Sequence, residues 1–217
     1  MTKMETGTST ISDGKPAINQ LLGKMKKIKG ILVLESAFIL MLLAMFIFPI
    51  FGMPEYSIIR DTIGELGAQS APCAWIMNFI LVLLALGSVI AGWSFYEGFL
   101  LHRIILVLFG LSFALTAFFN HAPVNPDMQY NINEAGWNAY FTSTAGLSFI
   151  ILSIATSFIL EKQSDRQLAF AAGISAIFLS VLMSEAERSA GVWQRIMYLI
   201  SFVWMIYSFK PEKFNSK

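Results

Sequence analysis

Long apolar runs, separated by shorter polar connections, constrain this chain more than any other feature. Six such runs occupy residues 31–51, 74–95, 102–119, 139–160, 168–184 and 192–209. A helix rises about 1.5 Å per residue, so about 20 apolar residues cross the hydrocarbon core of a bilayer. We therefore predict an all-α fold, a polytopic transmembrane bundle of six helices that extends over residues 31–210.

Composition supports a membrane domain and excludes several other classes of protein. Only 13% of the 217 residues are charged and 56% are hydrophobic, whereas a soluble domain has about 25% charged residues. A net charge of +1 excludes the basic face that nucleic-acid binding requires. The single cysteine, Cys73, can form neither an internal disulfide nor a thiolate metal site. We expect membrane lipids as partners, no nucleic acid and no cofactor or metal, and we infer no protein partner.

The two ends of the chain are polar and basic. Residues 1–30 finish in a cluster of lysines, which predicts a disordered, basic cytoplasmic tail, and residues 211–217 form a second tail. Twelve of the 15 lysines and arginines fall on the side of the termini, and Arg60, Arg188 and Arg195 fall on the other. By the positive-inside rule, both the N-terminus and the C-terminus are predicted to be cytoplasmic.

The fourth and fifth runs carry rows of small and hydroxyl residues three or four positions apart. These rows include Thr142, Gly146, Ser153 and Thr156 in one run, and Ala169, Ala172, Ala176 and Ser180 in the other. In lipid, helices associate through close packing rather than through exclusion of apolar surface from water. The rows therefore predict surfaces of helix contact rather than a substrate groove.

The segment between the first two runs, residues 55–72, holds several of the few charges in the apolar part of the chain. Arg60, Asp61 and Glu65 lie within it, together with Gly64 and Gly67. Each glycine weakens a helix by about 1 kcal/mol relative to alanine. We predict a short interfacial or re-entrant turn that folds back over the outward end of the bundle.

Polar residues at the outward ends of the other runs complete a candidate pocket at the outer leaflet. The pocket candidates are Arg60, Asp61, Glu65, Asn78, His121, Glu185, Gln194 and Arg195. Charges at membrane depth cost a few kcal/mol each unless they are paired or face a cavity. The planar fork of arginine suits a phosphate or carboxylate, which makes a lipid headgroup a natural ligand. The alternative is that these charges are solvated at the interface or pair with one another to fix the loops, and that His121 simply caps the third helix.

Two motifs connect the chain to a family. Residues 56–68, followed by Pro72, Trp75 and Asn78, resemble the S-x-x-x-D-x-I-S-E-L-G-A … P … F-N signature of the domain of unknown function 998 family of prokaryotic membrane proteins. Residues 191–196 resemble that family's G-x-x-Q-R start of the last span. The resemblance covers residues 30–210, and it implies six spans and the prokaryotic inner (cytoplasmic) membrane.

The chain also departs from this family's pattern. Gly64 replaces the usual serine, and residues 133–137 stand where the family typically has a His-x-x-Ala element. The second departure weakens any histidine-based mechanism carried over from relatives. The loop is also distantly similar to that of the eukaryotic six-span DRAM and Sfk type proteins, whose links to lipid handling favour a lipid ligand by analogy.

Three functions follow as hypotheses, and no catalytic residue can be assigned. The first is an integral membrane protein that binds a lipid headgroup or a small polar ligand under the 55–72 loop. The alternative is a membrane-embedded lipid-modifying hydrolase or transferase that uses a carboxylate or His121 as general base. A small transporter is the second alternative, although no run carries a charge at mid-membrane.

Overall fold

The computed structural model describes residues 14–52, 56–125 and 127–210, which form helices and their connections without a strand. Six long helices follow one another along the chain. They are α1 (Gly14–Gly52), α2 (Ala74–Phe95), α3 (Leu100–Phe118), α4 (Ile132–Ile159), α5 (Gln163–Glu185) and α6 (Ala190–Ser208). Short 3₁₀ turns at Gly64–Gly67 and Glu187–Ser189 lie in two of the connections. The predicted all-α bundle is confirmed.

Five of the helices in the described part of the chain are long and apolar enough to cross a membrane. They are the Lys29–Ile50 part of α1, together with α2, α3, α4 and α5. The sixth helix has 19 residues, but Gln194 and Arg195 lower its mean hydropathy. The protein is therefore a multi-pass membrane protein. The sixth span and the cytoplasmic placement of the termini stay predictions.

Every long helix except α2 begins earlier than its predicted run, and the differences are largest for α1 and α4. The first starts at Gly14, so residues 14–30 are helical and not the disordered tail expected there. Leu, Met, Lys and Gln are good helix formers, and extending an existing helix costs far less than nucleating one. The fourth starts at Ile132 rather than at residue 139, because the Asn131 side chain accepts hydrogen bonds from the backbone N–H groups of Asn133 and Glu134. Residues 1–13 and 211–217 lie outside the described residues.

Aromatic side chains fill the centre of the bundle. Each helix packs against the next one in the chain, and α6 also contacts α1. Phe202 of α6 lies 5.9 Å from Phe38 of α1 and 5.8 Å from Phe113 of α3, measured between ring centroids. Trp204 meets Phe149 of α4 edge to face at 5.7 Å. These contacts place α6 against the inner faces of α1, α3 and α4.

Small residues bring α4 and α5 close together, as the sequence predicts. Ala169, Ala172 and Ala176 are buried on α5. A Cβ atom on Gly173 would lie 2.7 Å from the hydroxyl oxygen of Ser153 on α4, so a larger residue here would require the α4 side chains to move. Thr142 differs from the rest of its row because its side chain is exposed on α4.

Candidate functional site

Residues 56–67 form a loop that packs on the N-terminus of α6; we call this end of the molecule the loop end. The first N–H groups of a helix have no partner within the helix. Here the N–H of Gly191 donates to the carbonyl of Arg60 (3.0 Å), and that of Val192 donates to the carbonyl of Ile59 (3.2 Å). The loop thus caps α6 with its own backbone. A Cβ atom on Gly191 would collide with the loop carbonyls, which explains the glycine there.

Arg195 holds the loop from beneath. Its side chain is buried, and Nη1 lies 2.7 Å from the carbonyl oxygen of Ile58, 3.0 Å from that of Asp61 and 2.8 Å from that of Gly191. Nη2 donates to the Tyr56 hydroxyl at 2.7 Å. All four of these acceptors belong to the loop or to the first turn of α6. This arrangement matches the alternative reading, in which the charge fixes the loop rather than meeting a phosphate.

Tyr56 links the two halves of the loop. Its hydroxyl donates to the carbonyl oxygen of Thr62 at 2.8 Å while it accepts from Arg195. Burial raises the pKa of Tyr56 to about 12, and the neighbouring guanidinium acts in the opposite direction. The phenol therefore remains protonated at neutral pH and remains a donor.

The three charged loop candidates also bond within the loop. The Asp61 carboxylate accepts from the Ser57 backbone N–H (2.7 Å) and from Nε (2.6 Å) and Nη2 (3.0 Å) of Arg60. The hydrogen bond that the exposed Arg60 guanidinium donates to Asp61 raises the pKa of Arg60. Glu65 accepts from the backbone N–H of Thr62 and from its hydroxyl, the latter at 2.8 Å. These carboxylates therefore shape the loop backbone.

Asn78 joins α2 to the connection after α3. Its Nδ2 donates to Oδ1 of Asn120 at 2.7 Å, and the backbone N–H of Asn120 donates to Glu134 at 2.8 Å. Gly67 packs directly on Asn78, where a Cβ atom would collide with the amide. Glu185, the remaining acidic candidate, is exposed at the C-terminus of α5.

A cavity of about 240 Å³ lies beneath the loop, between α2, α3, α4, α5 and α6. Its walls are formed by Thr62, Gly64, Leu81, Thr116, His121, Asn138, Ala139, Thr142, Ser143, Met183, Gln194 and Tyr198. Of the eight sequence candidates, the structure brings His121 and Gln194 together here. Arg60, Asp61, Glu65, Asn78, Glu185 and Arg195 are absent from its walls. The cavity is smaller than the pockets of about 300–1,000 Å³ that take drug-sized ligands, so it suits a small group.

Two amides in the cavity wall have fixed and opposite orientations. Oε1 of Gln194 accepts from the backbone N–H of Ile63 at 2.5 Å, which leaves its Nε2 accessible and without a partner among the described residues. Nδ2 of Asn138 donates to the carbonyls of Thr116 (2.9 Å) and Phe119 (2.5 Å). The Oδ1 of Asn138 is then the atom without a partner in the described chain. One amide thus offers a donor and the other offers an acceptor.

His121, Tyr198 and Thr142 add further polar atoms to the wall. Nδ1 of His121 lies 2.9 Å from the carbonyl oxygen of Ala122. Because a carbonyl oxygen only accepts, we assign the proton of the neutral ring to Nδ1, and Nε2 becomes an acceptor. The hydroxyls of Tyr198 and Thr142 make no hydrogen bond within the part of the chain that the structure describes.

Sequence reasoning missed Asn138, Tyr198 and Tyr56 as site residues. Asn138 falls at the edge of the predicted polar connection before α4, where a polar residue is expected. The structure shows that α4 starts at Ile132, so Asn138 lies within the helix. Tyr198 lies in an apolar run, in which tyrosine reads as an interfacial anchor. The one sequence signal for Tyr56 is its position at the start of the loop motif. Among the described residues, no group of three or more His, Cys, Asp or Glu side chains could hold a metal ion.

Comparison with known protein families identifies the family of this chain. A family model described as "Protein of unknown function (DUF998)" matches residues 36–208. The chain belongs to the DUF998 family. The DUF998 match begins in α1 and ends at the last residue of α6, so it includes the loop and every wall of the cavity. No curated protein and no solved structure matches the chain.

Proposed function

We propose that this DUF998 protein binds a membrane-lipid headgroup, or a small polar ligand, in the cavity beneath residues 56–67. The observation that carries the proposal is a set of polar atoms that line the cavity and have no partner among the described residues. Gln194 Nε2 and Asn138 Oδ1 belong to this set. A polar group removed from water without a hydrogen bond costs about 1–3 kcal/mol. Such a set is therefore stable when water or a ligand fills the cavity.

The position of the cavity favours a ligand that arrives through the lipid. Ala139, Thr142 and Ser143 line the cavity and are also exposed on the outer surface of α4. A headgroup can therefore enter beside α4 while its acyl chains remain against the apolar helices. The opposite wall includes Thr62 and Gly64, so the loop must be in place for the cavity to exist.

Native mass spectrometry tests the proposal by measuring the lipids that stay bound after the protein leaves its detergent micelle. Ala139→Phe introduces bulk into the cavity, and we expect it to abolish retention of the lipid that the wild type keeps. Gly136→Phe places the same ring one turn earlier on α4, where a Cβ atom meets open space, and we expect normal retention. Equal retention by both variants would contradict a ligand in this cavity.

A lipid-modifying hydrolase or transferase is a second candidate. His121 shares the cavity with the hydroxyls of Thr142 and Ser143, which is the combination that general-base chemistry uses. The same purified protein, incubated with the lipid that it retains, separates the two functions. Conversion of that lipid by the wild type, lost in His121→Gln with binding preserved, would establish an enzyme; unchanged lipid would leave a binding protein.

We also propose that the protein lies in the cytoplasmic membrane of a prokaryote with the loop end facing outward. The support is the lysine and arginine distribution, with three of the 15 basic residues on the loop side. Cys73, the single cysteine, is partly exposed at the loop end and reports orientation directly. A membrane-impermeant maleimide should label it in intact cells, whereas Cys73→Ser/Lys29→Cys should label only after lysis. The reverse pattern would overturn this orientation.

A further inference from the structure

Among the residues that the structure describes, the walls of the cavity include no carboxylate and no arginine or lysine. They consist of apolar residues, hydroxyls, two amides and the imidazole of His121. The arginines that the sequence offers for a phosphate are engaged elsewhere, since Arg195 bonds four oxygens of the loop and the first turn of α6, and Arg60 pairs with Asp61 at 2.6 Å. A phosphate in this cavity would lack the bidentate partner that normally holds it.

The wall atoms without a partner among the described residues include both donors and acceptors. Gln194 Nε2 can only donate, whereas Asn138 Oδ1 can only accept. His121 Nε2 accepts in the neutral tautomer, and the Tyr198 hydroxyl can do both. A hydroxyl group is matched to such a wall, because it donates one hydrogen bond and accepts others. An ionised phosphate or carboxylate oxygen only accepts, so it would face the Asn138 and His121 acceptors with no proton to offer.

We infer that the ligand is an uncharged polyol, a glycerol or sugar unit whose neighbouring hydroxyls donate to Asn138 and His121 and accept from Gln194 and Tyr198. This inference rests on the proposed function and names its ligand class. The same chemistry occurs in a neutral glycolipid headgroup and in a free sugar or glycerol. The two sources differ in whether acyl chains contribute to affinity, and the assay separates them on that basis.

Equilibrium binding to the full chain in detergent micelles, followed with radiolabelled monoglucosyl diacylglycerol, tests the inference. Competitors are unlabelled monoglucosyl diacylglycerol, methyl glucoside, phosphatidic acid and inorganic phosphate. We expect the neutral glycolipid to compete, methyl glucoside to compete more weakly if acyl chains contribute, and phosphate to fail. Equal molar potency of methyl glucoside would identify a free sugar as the source and keep the polyol assignment.

Two conservative variants test the wall itself. Tyr198→Phe removes one hydroxyl, and Gln194→Glu keeps the acceptor for Ile63 but replaces the donor with a carboxylate oxygen. Loss of one hydrogen bond corresponds to about a three- to tenfold weaker affinity for Tyr198→Phe. We expect a larger loss for Gln194→Glu, and none for Tyr140→Phe, an exposed tyrosine of α4 outside the cavity.

The possible failures have different meanings. Tight binding of labelled phosphatidic acid or phosphate that is lost in Tyr198→Phe would overturn the polyol assignment and leave the cavity as a binding site. If neither Tyr198→Phe nor Gln194→Glu weakens the binding of any probe, the proposed function is overturned as well. Should Gln194→Glu fail to fold, Tyr198→Phe decides the matter alone, because it removes a hydroxyl that holds no part of the protein.

Discussion

Removing the Arg195 side chain should detach the loop while the helical bundle remains. In Arg195→Ala the carbonyl oxygens of Ile58, Asp61 and Gly191 and the Tyr56 hydroxyl lose their shared donor. Removing one partner of a buried charged interaction costs about 3–5 kcal/mol, because the remaining groups stay buried without their partner. We therefore expect a loss of about 3–5 kcal/mol at the loop.

Hydrogen exchange measures this loss at the loop itself. The amide of Asp61 bonds the carbonyl of Ser57 at 2.7 Å, and the amide of Ile63 bonds Gln194 at 2.5 Å, so both report whether the loop is closed. A loss of 3–5 kcal/mol corresponds to exchange faster by about 10²–10⁴. Amides in the middle of α3 should exchange at the wild-type rate, because the core there has no contact with Arg195.

Matched controls make the result decisive. Arg188→Ala removes an exposed arginine at the same end of the molecule, and the loop amides should keep their wild-type exchange. Arg195→Lys keeps the charge but cannot reach both the carbonyls and Tyr56, so we expect an intermediate effect. Loop exchange in Arg195→Ala within about threefold of wild type would refute the reasoning, since that is under 1 kcal/mol.

Four further substitutions test the close approaches and the phenol. Gly191→Ala should accelerate loop exchange, because its Cβ atom collides with loop carbonyls, whereas Gly136→Ala, at an open helical position, should stabilise the protein by about 1 kcal/mol in thermal unfolding. Gly67→Ala should displace Asn78 and lower the unfolding temperature. A phenolate difference titration of wild type minus Tyr56→Phe should have its midpoint near pH 12 rather than about 10. The pKa of Tyr56 is higher in the folded state than in the unfolded state. Its contribution to the free energy of unfolding is therefore fully present below about pH 10 and is lost between about pH 10 and 12.

The sequence predicts the helices well because membrane spans have a strong and local signature. The run from residue 74 to 95 becomes α2 with identical bounds. The start of α4 was missed, because residues 132–138 are polar and hydropathy assigns them to a connection. A different signal was present: Asn131 followed three residues later by Glu134 is the pattern of a helix N-terminus. Capping residues therefore locate helix ends that hydropathy alone leaves too short.

The candidate site was predictable only in part, because the partners of a polar side chain depend on distant segments. His121 and Gln194 were selected as polar residues at the ends of apolar runs, and both line the cavity. Arg195 was selected for the same reason, yet its acceptors include backbone carbonyls more than 130 positions away. Every residue has a backbone carbonyl, so a sequence pattern does not show which carbonyls a side chain contacts. A pattern can therefore mark a buried arginine as important without distinguishing a ligand contact from a structural one.

The arrangement of loop and cavity affects how any loss of binding should be interpreted. Arg195 bonds the loop and does not line the cavity, whereas Tyr198 lines the cavity and bonds no part of the loop. Both Arg195→Ala and Tyr198→Phe should weaken ligand binding, but only Arg195→Ala should also accelerate hydrogen exchange of the Ile63 amide. Loss of binding with a closed loop identifies a contact with the ligand; loss of binding with an open loop identifies a residue that positions the wall formed by Thr62 and Gly64. Because the ligand and Arg195 both favour the closed loop, ligand added to the wild type should slow loop exchange further, and ligand added to Tyr198→Phe should slow it less.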